Sequence, residues 1–166
     1  EMFGCLVGSE MCIRDRVYPF GFGTQENQVK WQKKVFASDE LVSDFLNQNF
    51  DFSIFENHSQ KDRAQWGHAQ FFKRTSYIKG GMENENFKAW GPEDEEKHYR
   101  FPKLGYNIGR VIDWVYHLEH SRGDDSERTN IYFHDNLKLM EDIRSLSEEE
   151  LKNYYNTQEY LKKYHD

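Results

Sequence analysis

The chain has 166 residues, a formal net charge of −7, 37% apolar residues and 16% aromatic residues. This length is sufficient for one domain with a hydrophobic core. The aromatic content argues against a disordered chain, because each aromatic side chain can bury a large area. The negative charge argues against binding to a nucleic-acid backbone, which requires clustered Lys and Arg. No segment approaches the roughly 20 consecutive apolar residues of a membrane-spanning helix.

Residues 1–16 differ from the rest of the chain in having neither a helical nor a strand periodicity. The segment resembles the translated sequencing adapter found at the ends of assembled sequences, so we predict a non-native leader and exclude it from the fold prediction. Both cysteines, Cys5 and Cys12, lie in this leader. The remaining chain is therefore predicted to contain neither disulfides nor thiolate metal sites. We also expect a natural upstream part of the protein to be missing before residue 17.

The first part of the remaining chain predicts one strand and two helices. The segment that starts at Val17 and runs into glycines predicts the end of a strand. A short helix with Val35 on its inner face is predicted next, and Ser38 is predicted to cap a second helix that ends near Gln48. Residues 51–66 are polar with scattered aromatics, which predicts a loop.

Residues 68–120 predict an alternation of strands and helices. The turn that ends at Gly80-Gly81 should close in a left-handed cap, and Pro102 should kink or shorten the helix that contains it. The predicted elements, in chain order, are a strand (68–74), a helical turn (75–79), a helix (92–104), a strand (106–112) and an edge segment that continues to residue 120.

After residue 125 the composition changes to that of a helical tail. Asn130 is predicted to cap one helix. Ser147 and Glu150 have the spacing of a capping box, in which each side chain satisfies a free backbone N–H group, so a last helix is predicted to begin there. Strands that alternate with helices are typical of an α/β sheet domain. We therefore predict an α/β domain over residues 17–125 and a helical tail over residues 126–166.

One predicted helix start contains the consecutive residues Trp90, Gly91, Pro92, Glu93 and Asp94. One interpretation is structural, because Pro suits the first helical turn and the helix dipole favours acidic side chains there by about 0.3–1 kcal/mol each. The other interpretation is functional. An aromatic face beside two carboxylates can bind a sugar ring and accept a proton from one of its hydroxyls.

A longer pattern around this segment resembles a known enzyme family. The pattern consists of Phe71-Phe72-Lys73-Arg74, Tyr77-Ile78-Lys79-Gly80-Gly81, residues 84–87 and Trp90-Gly91-Pro92-Glu93-Asp94. It resembles the C-terminal half of inverting nucleotide-sugar glycosyltransferases of GT-A fold, in particular the β-1,4-galactosyltransferases and the bacterial chondroitin-polymerase type. The resemblance covers residues 66–122, about a third of the chain. It implies the truncated, C-terminal portion of a Rossmann-like GT-A domain.

The resemblance implies a role for each residue of the Trp-Gly-Pro-Glu-Asp segment. Asp94 takes the position of the catalytic base, which removes the proton from the acceptor hydroxyl. Glu93 would bind sugar hydroxyls, Trp90 would stack on a sugar face, and Gly91 would keep the loop thin enough to close over the donor. The family has Gly where this chain has Pro92, which implies a stiffer loop.

His117 and His120 form a His-x-x-His pair, which by itself is compatible with two ordinary surface histidines or with a metal site. Its spacing does not match the ligand pattern of metalloproteases. In the family that the chain resembles, a His-Ser-Arg sequence supplies a Mn²⁺ ligand, and His120 stands at that position. His117 stands at the position of the family's ligand three residues earlier. The remaining histidines are predicted to be solvated or locally hydrogen-bonded: His58, His68, His98, His134 and His165.

The resemblance implies metal-dependent transfer of a hexose or N-acetylhexosamine, of galactose type, from a UDP-sugar to a glycan acceptor with inversion. The implied cofactor is Mn²⁺ or Mg²⁺, which would bridge the donor diphosphate. The family's Asp-x-Asp motif, which supplies the carboxylate metal ligand, is missing from the sequence. We therefore expect this chain alone to bind the donor poorly and to be inactive.

Two other functions stay open from the sequence. The chain could be a non-catalytic carbohydrate- or partner-binding module on the same fold, or an enzyme that resembles the retaining polypeptide N-acetylgalactosaminyltransferases. The expected partners are a UDP-sugar and a glycan, with no nucleic acid and no membrane span in this chain. The Asn-, Lys- and Tyr-rich composition favours a bacterial cytoplasmic location, at the inner membrane face in one variant, and the Golgi lumen would apply to a eukaryotic source.

Overall fold

The computed structural model of the protein describes residues 14–20, 32–62, 66–111 and 113–164. These residues form two compact units that alternate along the chain. Unit 1 contains the described residues up to Tyr18, Ala69–Gly109, and those from Arg122 onward. Unit 2 contains the described residues within Pro19–His68 and Arg110–Ser121. Residues on both sides of position 125 therefore belong to unit 1, and the predicted division into a domain and a tail stays a prediction.

The described chain contains both strands and helices, which confirms the predicted mixed α/β class. None of the helices in these ranges is long and apolar enough to cross a bilayer. The strands are β1 (Arg16–Tyr18), β2 (Gln32–Val35), β3 (Ser59–Asp62), β4 (Phe71–Phe72), β5 (Ile108–Arg110) and β6 (Val115–Leu118). The α-helices are α1 (Asp39–Asn47), α2 (Arg74–Lys79), α3 (Glu93–Lys103), α4 (Phe133–Ser145) and α5 (Glu148–Asn156). The 3₁₀ helices are Phe52–His58, Asp124–Ser126 and Glu159–Tyr164.

The sheet of unit 1 is built around β1, in the strand order β4-β1-β5. β1 and β4 are antiparallel, with Val17 opposite Phe71. The two strands predicted on either side of α3 are confirmed as the shorter elements β4 and β5. Arg16, the last residue of the predicted leader, lies in β1 and is fully buried. This residue is therefore a structural part of unit 1.

The boundaries of α2 and α3 lie where the glycine and proline pattern predicts. Gly81 follows α2 with φ = +94°, a left-handed conformation that favours glycine. α3 begins at Glu93, directly after Pro92, and four acidic side chains occupy its first turn. The helix dipole stabilises negative charge at this end. Pro102 lies in the last turn, and both helix predictions are confirmed to within one residue at each end.

α4 and α5 confirm the predicted helices of the tail. α5 begins with the predicted capping box, in which Ser147 and Glu150 each accept a hydrogen bond from the other's backbone N–H. α4 begins at Phe133 rather than directly after Asn130, because the Asn130 amide oxygen accepts from Tyr132 N and forms a turn before the helix. The buried core cluster consists of Ile143 of α4, Leu151 and Tyr155 of α5, and Leu161 of the following 3₁₀ helix.

A fully buried ion pair joins Glu96 and Arg100, one turn apart in α3. Arg100 Nε lies 3.0 Å from Glu96 Oε1, which also accepts a 2.7 Å hydrogen bond from the Tyr155 hydroxyl of α5. The guanidinium also donates to the carbonyl oxygens of Gly80 and Met82, the latter at 2.7 Å. α3, α5 and the turn after α2 therefore meet at one buried charge pair.

Unit 2 contains a second sheet, in the order β3-β2-β6. β2 is antiparallel to β3 and parallel to β6. The predicted short helix around Val35 is wrong, because Val35 is fully buried in β2; the part of that prediction before Gln32 lies outside the described residues. The loop predicted after α1 is wrong in part, since it contains the 3₁₀ helix Phe52–His58 and β3.

The central strand of this sheet, β2, has the sequence Gln-Lys-Lys-Val, which lacks apolar alternation. Lys33 pairs with Glu56, and Lys34 Nζ lies 3.2 Å from both Asp62 and Glu119. Both edges of the strand pair with a neighbouring strand, so its backbone groups have hydrogen-bond partners. The Lys33 ammonium also lies 5.1 Å and 5.2 Å from the ring centroids of Trp114 and Tyr116. Because three of its four residues are polar, β2 lacks the alternation of apolar and polar residues that usually predicts a strand.

α1 begins at its predicted cap. Ser38 Oγ accepts a 3.2 Å hydrogen bond from Leu41 N. Phe45 of α1 contacts the rings of Phe52 and Phe55, with centroids 5.0 Å and 4.7 Å away. Phe55 is buried, so this aromatic cluster attaches α1 to the following 3₁₀ helix.

Replacing Glu96 by Gln should destabilise the protein strongly. The amide can still accept from Tyr155, but the buried Arg100 guanidinium loses its counter-charge. Leaving a buried charge without its partner costs about 3–5 kcal/mol. The free energy of unfolding, measured by urea denaturation with circular dichroism detection, should fall by about this amount.

Lys152→Gln is the matched control, because it breaks an exposed pair with Glu148 at the same spacing in α5. It should leave the unfolding midpoint nearly unchanged, since exposed pairs contribute little. Equal losses of stability in the two variants would contradict the importance of the buried pair.

Candidate functional site

The backbone of Trp90 is held by residues around the start of α4. Trp90 N donates to Asp125 O at 2.9 Å. Trp90 O accepts from Asn130 Nδ2 at 2.9 Å and from Asn136 Nδ2 at 3.4 Å. The Asn136 amide also donates to Lys88 O at 2.7 Å and accepts from Lys88 N at 3.1 Å. Because Asn136 is 2% exposed, these bonds satisfy groups that would otherwise lose their solvation.

The indole of Trp90 stacks on Phe133, the first residue of α4. The ring centroids are 5.6 Å apart and the planes differ by 12°. One face of the half-buried indole is therefore covered, and a sugar could stack only on the other face. The preceding residue, Ala89, has φ = +54°, a left-handed conformation that costs a non-glycine residue about 1–2 kcal/mol. Backbone strain is thus present directly before Trp90.

Gly91 lies in close contact with Asn136. A Cβ at position 91 would lie 2.7 Å from Asn136 Nδ2 and 3.0 Å from Asn136 Cβ, which is too close for non-bonded atoms. Glycine therefore permits the approach of this loop to α4. Packing against Asn136 is therefore a structural reason for glycine at position 91. Closure of this loop over a donor, which the resemblance implies, stays a prediction.

The Glu93 side chain folds back over the preceding turn, where Oε2 accepts a 3.0 Å hydrogen bond from Gly91 N. Burial raises the pKa of the Glu93 carboxyl above its ordinary value. The adjacent Asp94 carboxylate raises this pKa further, whereas the backbone N–H donors at Gly91 and Glu93 oppose the shift. Glu93 therefore titrates above an ordinary surface glutamate.

Asp94 is held through one of its two carboxylate oxygens. Oδ1 accepts a 2.8 Å hydrogen bond from Gln70 Nε2 and lies 3.0 Å from Lys97 Nζ, which is three residues further along α3. Lys97 is also bound to Glu83, at 2.6 Å. The Asp94 side chain is 37% exposed, so a molecule from solution can reach it. This arrangement orients a carboxylate and leaves it accessible.

Arg16 supports Gln70 from the interior of unit 1. Arg16 Nη2 donates to Gln70 Oε1 at 2.7 Å. The guanidinium lies over the rings of Tyr18 and Phe72, at 4.5 Å and 5.1 Å from their centroids. Burial lowers the pKa of Arg16. A continuous path of hydrogen bonds therefore runs from Arg16 through Gln70 to Asp94.

His117 and His120 belong to unit 2, at the end of β6 and just beyond it. His117 Nδ1 lies 3.1 Å from His68 Nδ1, and the His117 and His120 rings stack with centroids 5.7 Å apart. His120 Nδ1 is 2.9 Å from Ser121 O, a carbonyl that can only accept, so this nitrogen carries the proton. His120 Nε2 then has the lone pair that a metal requires.

The predicted site residues thus fall in both units. Trp90, Gly91, Glu93 and Asp94 are neighbours in unit 1, and His117 and His120 are neighbours in unit 2. Within the described ranges, no group of three or more His, Cys, Asp or Glu residues is arranged to hold a metal ion. Imidazole nitrogens suit Mn²⁺ chemically, and the assignment of His117 and His120 as ligands stays a prediction.

The polar residues that hold these side chains have little signal in the sequence. Only Lys97 had a usable signal, because it follows Asp94 at a helical i,i+3 spacing. Gln70, Asn130 and Asn136 act on partners distant in sequence, and their residue types alone do not reveal those partners. The buried His98, predicted to be local or solvated, instead bonds to Tyr18 OH at 3.1 Å.

Glu93→Gln should make the protein more stable at neutral pH. The amide oxygen can still accept from Gly91 N, while the burial penalty on the charge disappears. Because the folded pKa of Glu93 is raised, the ionised carboxylate disfavours folding above that pKa, and the penalty vanishes as the pH falls below the unfolded pKa. The stability gain should therefore be full at pH 8 and lost near pH 4, measured by urea denaturation.

Glu149→Gln, at an exposed position in the first turn of α5, provides the baseline for this series. A Glu93→Gln variant that is less stable than the parent at pH 8 would contradict the raised pKa.

Gly91→Ala should destabilise unit 1 by about 1–3 kcal/mol, because its methyl group overlaps Asn136. Asn136→Ala should cost about 1–3 kcal/mol, since buried backbone groups lose their partner. The nearest neighbours of the added methyl all belong to Asn136, so the double variant should lose less stability than the two single losses combined. Additive unfolding free energies would show that the two residues do not interact.

The sequence pattern around Trp90 resembles a glycosyltransferase family. No protein-family model, no curated protein and no solved structure matches the chain. The family suggested by the sequence pattern therefore stays a proposal.

Proposed function

We propose that the protein is an inverting glycosyltransferase of GT-A type that transfers a hexose or N-acetylhexosamine from a UDP-sugar to a glycan acceptor. Support comes from the Trp90-to-Asp94 pattern, which resembles that family, and from the chemistry of the residues in unit 1. The observation that carries the proposal is the Asp94 carboxylate, which is accessible and is oriented through Oδ1 alone by Gln70 and Lys97.

Asp94 is suited to act as a general base. Both of its described contacts use Oδ1, so Oδ2 is the oxygen that would take the proton from the acceptor hydroxyl. The acceptor oxygen then attacks the anomeric carbon, the bond from that carbon to the UDP oxygen breaks, and the configuration inverts. A positioned base contributes about 10²–10⁴-fold to such a rate. No covalent enzyme intermediate is required.

Trp90 and Glu93 would bind the sugar. The indole face opposite Phe133 can stack on a sugar ring, and the asparagine bonds to the Trp90 backbone keep that face in a constant orientation. Glu93 can accept hydrogen bonds from sugar hydroxyls through the oxygen that is not bound to Gly91. Both residues lie within four positions of Asp94, so binding and proton transfer use the same turn of the chain.

His117 and His120 would hold the divalent cation that this family uses. Their imidazole nitrogens fit Mn²⁺ better than Mg²⁺, which prefers oxygen ligands. When bound, the cation supplies charge neutralisation for the diphosphate of the leaving group. The chain's own contribution in unit 2 is the tautomer of His120, set by the Ser121 carbonyl.

Asp94→Asn should abolish transfer while leaving the fold intact. The amide oxygen can still accept from Gln70, and Lys97 keeps Glu83, so the first turn of α3 loses only its base. In the protein expressed from its complete reading frame, the transfer rate from UDP-hexose to an oligosaccharide should fall about 10²–10⁴-fold. Donor binding, measured by calorimetry, should not change.

Asp135→Asn is the control, because Asp135 is an exposed carboxylate in the first turn of α4. It should retain full transfer activity. Near-normal turnover in Asp94→Asn would remove Asp94 as the base. Binding of UDP-sugar or glycan without turnover in the unaltered protein would instead indicate a non-catalytic binding module.

A further inference from the structure

His68 and His117 approach each other through the same ring atom. Their Nδ1 atoms are 3.1 Å apart, and the two rings are nearly perpendicular, at 82°. Metal–nitrogen bonds of about 2.0–2.1 Å at octahedral or tetrahedral angles place two ligand nitrogens about 2.8–3.4 Å apart. The observed 3.1 Å separation therefore fits two nitrogen ligands of one metal ion, and it also fits one hydrogen bond.

The backbone of His68, which carries one of these two imidazole rings, is strained. His68 has φ = +69°, a left-handed conformation that costs a non-glycine residue about 1–2 kcal/mol. Residues in such conformations cluster at functional sites, where the surrounding structure maintains them. The imidazole packs edge-on against the buried ring of Phe20, with centroids 6.2 Å apart. His68 therefore contacts both the Phe20 ring and the His117 ring.

His117 presents its ring from a rigid element. It lies in β6, opposite Lys34 of the parallel strand β2, so backbone pairing fixes its position. His120 stacks on the His117 ring, with the planes 14° apart. His68 and His120 are exposed and His117 is half-buried, so solvent oxygen atoms can complete a coordination sphere.

We propose that His68 and His117 bind a divalent transition-metal ion through their Nδ1 atoms. His68 is thereby a ligand that the glycosyltransferase resemblance does not supply. In this site His68 takes the place that the family resemblance gives to His120, and water or phosphate oxygens fill the positions that the two imidazoles leave open. An imidazole pair should follow the order of increasing affinity Mn²⁺, Co²⁺, Ni²⁺ and should bind Mg²⁺ poorly. The role of the cation in catalysis rests on the proposed function, whereas its binding does not.

The test is calorimetric titration of the 166-residue chain with Co²⁺, Ni²⁺ or Mg²⁺, using a purification tag without histidine. His68→Asn is the informative variant, because Asn tolerates the left-handed conformation and removes the ring ligand. It should weaken Co²⁺ binding about tenfold or more without lowering the unfolding midpoint. His117→Asn should have the same effect, and His58→Asn, at an exposed position of unit 2, should have none.

Electron spin-echo spectroscopy of bound Mn²⁺ supplies a second readout. The parent protein should show coupling to imidazole nitrogen, and His68→Asn should reduce it. Unchanged Co²⁺ affinity and unchanged nitrogen coupling in His68→Asn would overturn the proposal and favour a shared proton between the rings. Absence of Co²⁺ and Ni²⁺ binding in the parent protein would overturn it as well.

The outcomes separate this proposal from the proposed function. Metal binding that depends on His68, together with absence of sugar transfer in the protein expressed from its complete reading frame, would support the metal site and contradict the glycosyltransferase. Metal-dependent sugar transfer that is insensitive to His68→Asn but lost in His120→Asn would contradict the His68 site and support the glycosyltransferase.

Discussion

The buried ion pair of Glu96 and Arg100 is the interaction on which the rest of unit 1 depends. Both side chains are fully buried, and each has a second set of partners, the Tyr155 hydroxyl for Glu96 and two backbone carbonyls for Arg100. Burying two charges carries a desolvation cost that is offset only when geometry and hydrogen bonding are favourable. The pair therefore requires α5 and the turn after α2 to occupy defined positions around α3.

This requirement positions the candidate site, because the first turn of α3 lies directly before the ion pair. Glu93 and Asp94 are thereby placed on a helix whose next turn is fixed in the core. Trp90 precedes this turn in the chain, and its backbone carbonyl accepts hydrogen bonds from Asn130 and Asn136. The segment that resembles a sugar-transferring site is thus held on both sides by buried polar contacts, an arrangement that can preorganise a base and an aromatic face.

In unit 2, the central strand β2 has little apolar character and is stabilised mainly by polar contacts. Ion pairs from Lys33 and Lys34 accompany the backbone pairing, and the parallel neighbour β6 presents His117. The imidazoles of His68 and His120 both contact the His117 ring, with centroids 4.9 Å and 5.7 Å away. Imidazole nitrogens are chemically suited to transition metals, and His117 presents one of them from a paired strand. The left-handed backbone of His68 supports the proposed metal site more strongly than the His-x-x-His spacing alone does.

Features that depend on neighbouring residues could be read directly from the chain. The Ser38 cap, the capping box at Ser147 and the start of α3 are of this kind, because their hydrogen bonds and charge effects act within one helical turn. Strand β2 escaped prediction since lysines pair through charge and leave no apolar period. The partners of Arg16, Gln70 and Asn136 are 54, 24 and 48 residues away. Such partners depend on how distant segments pack, because a polar side chain bonds to whichever group the fold brings within about 3 Å of it.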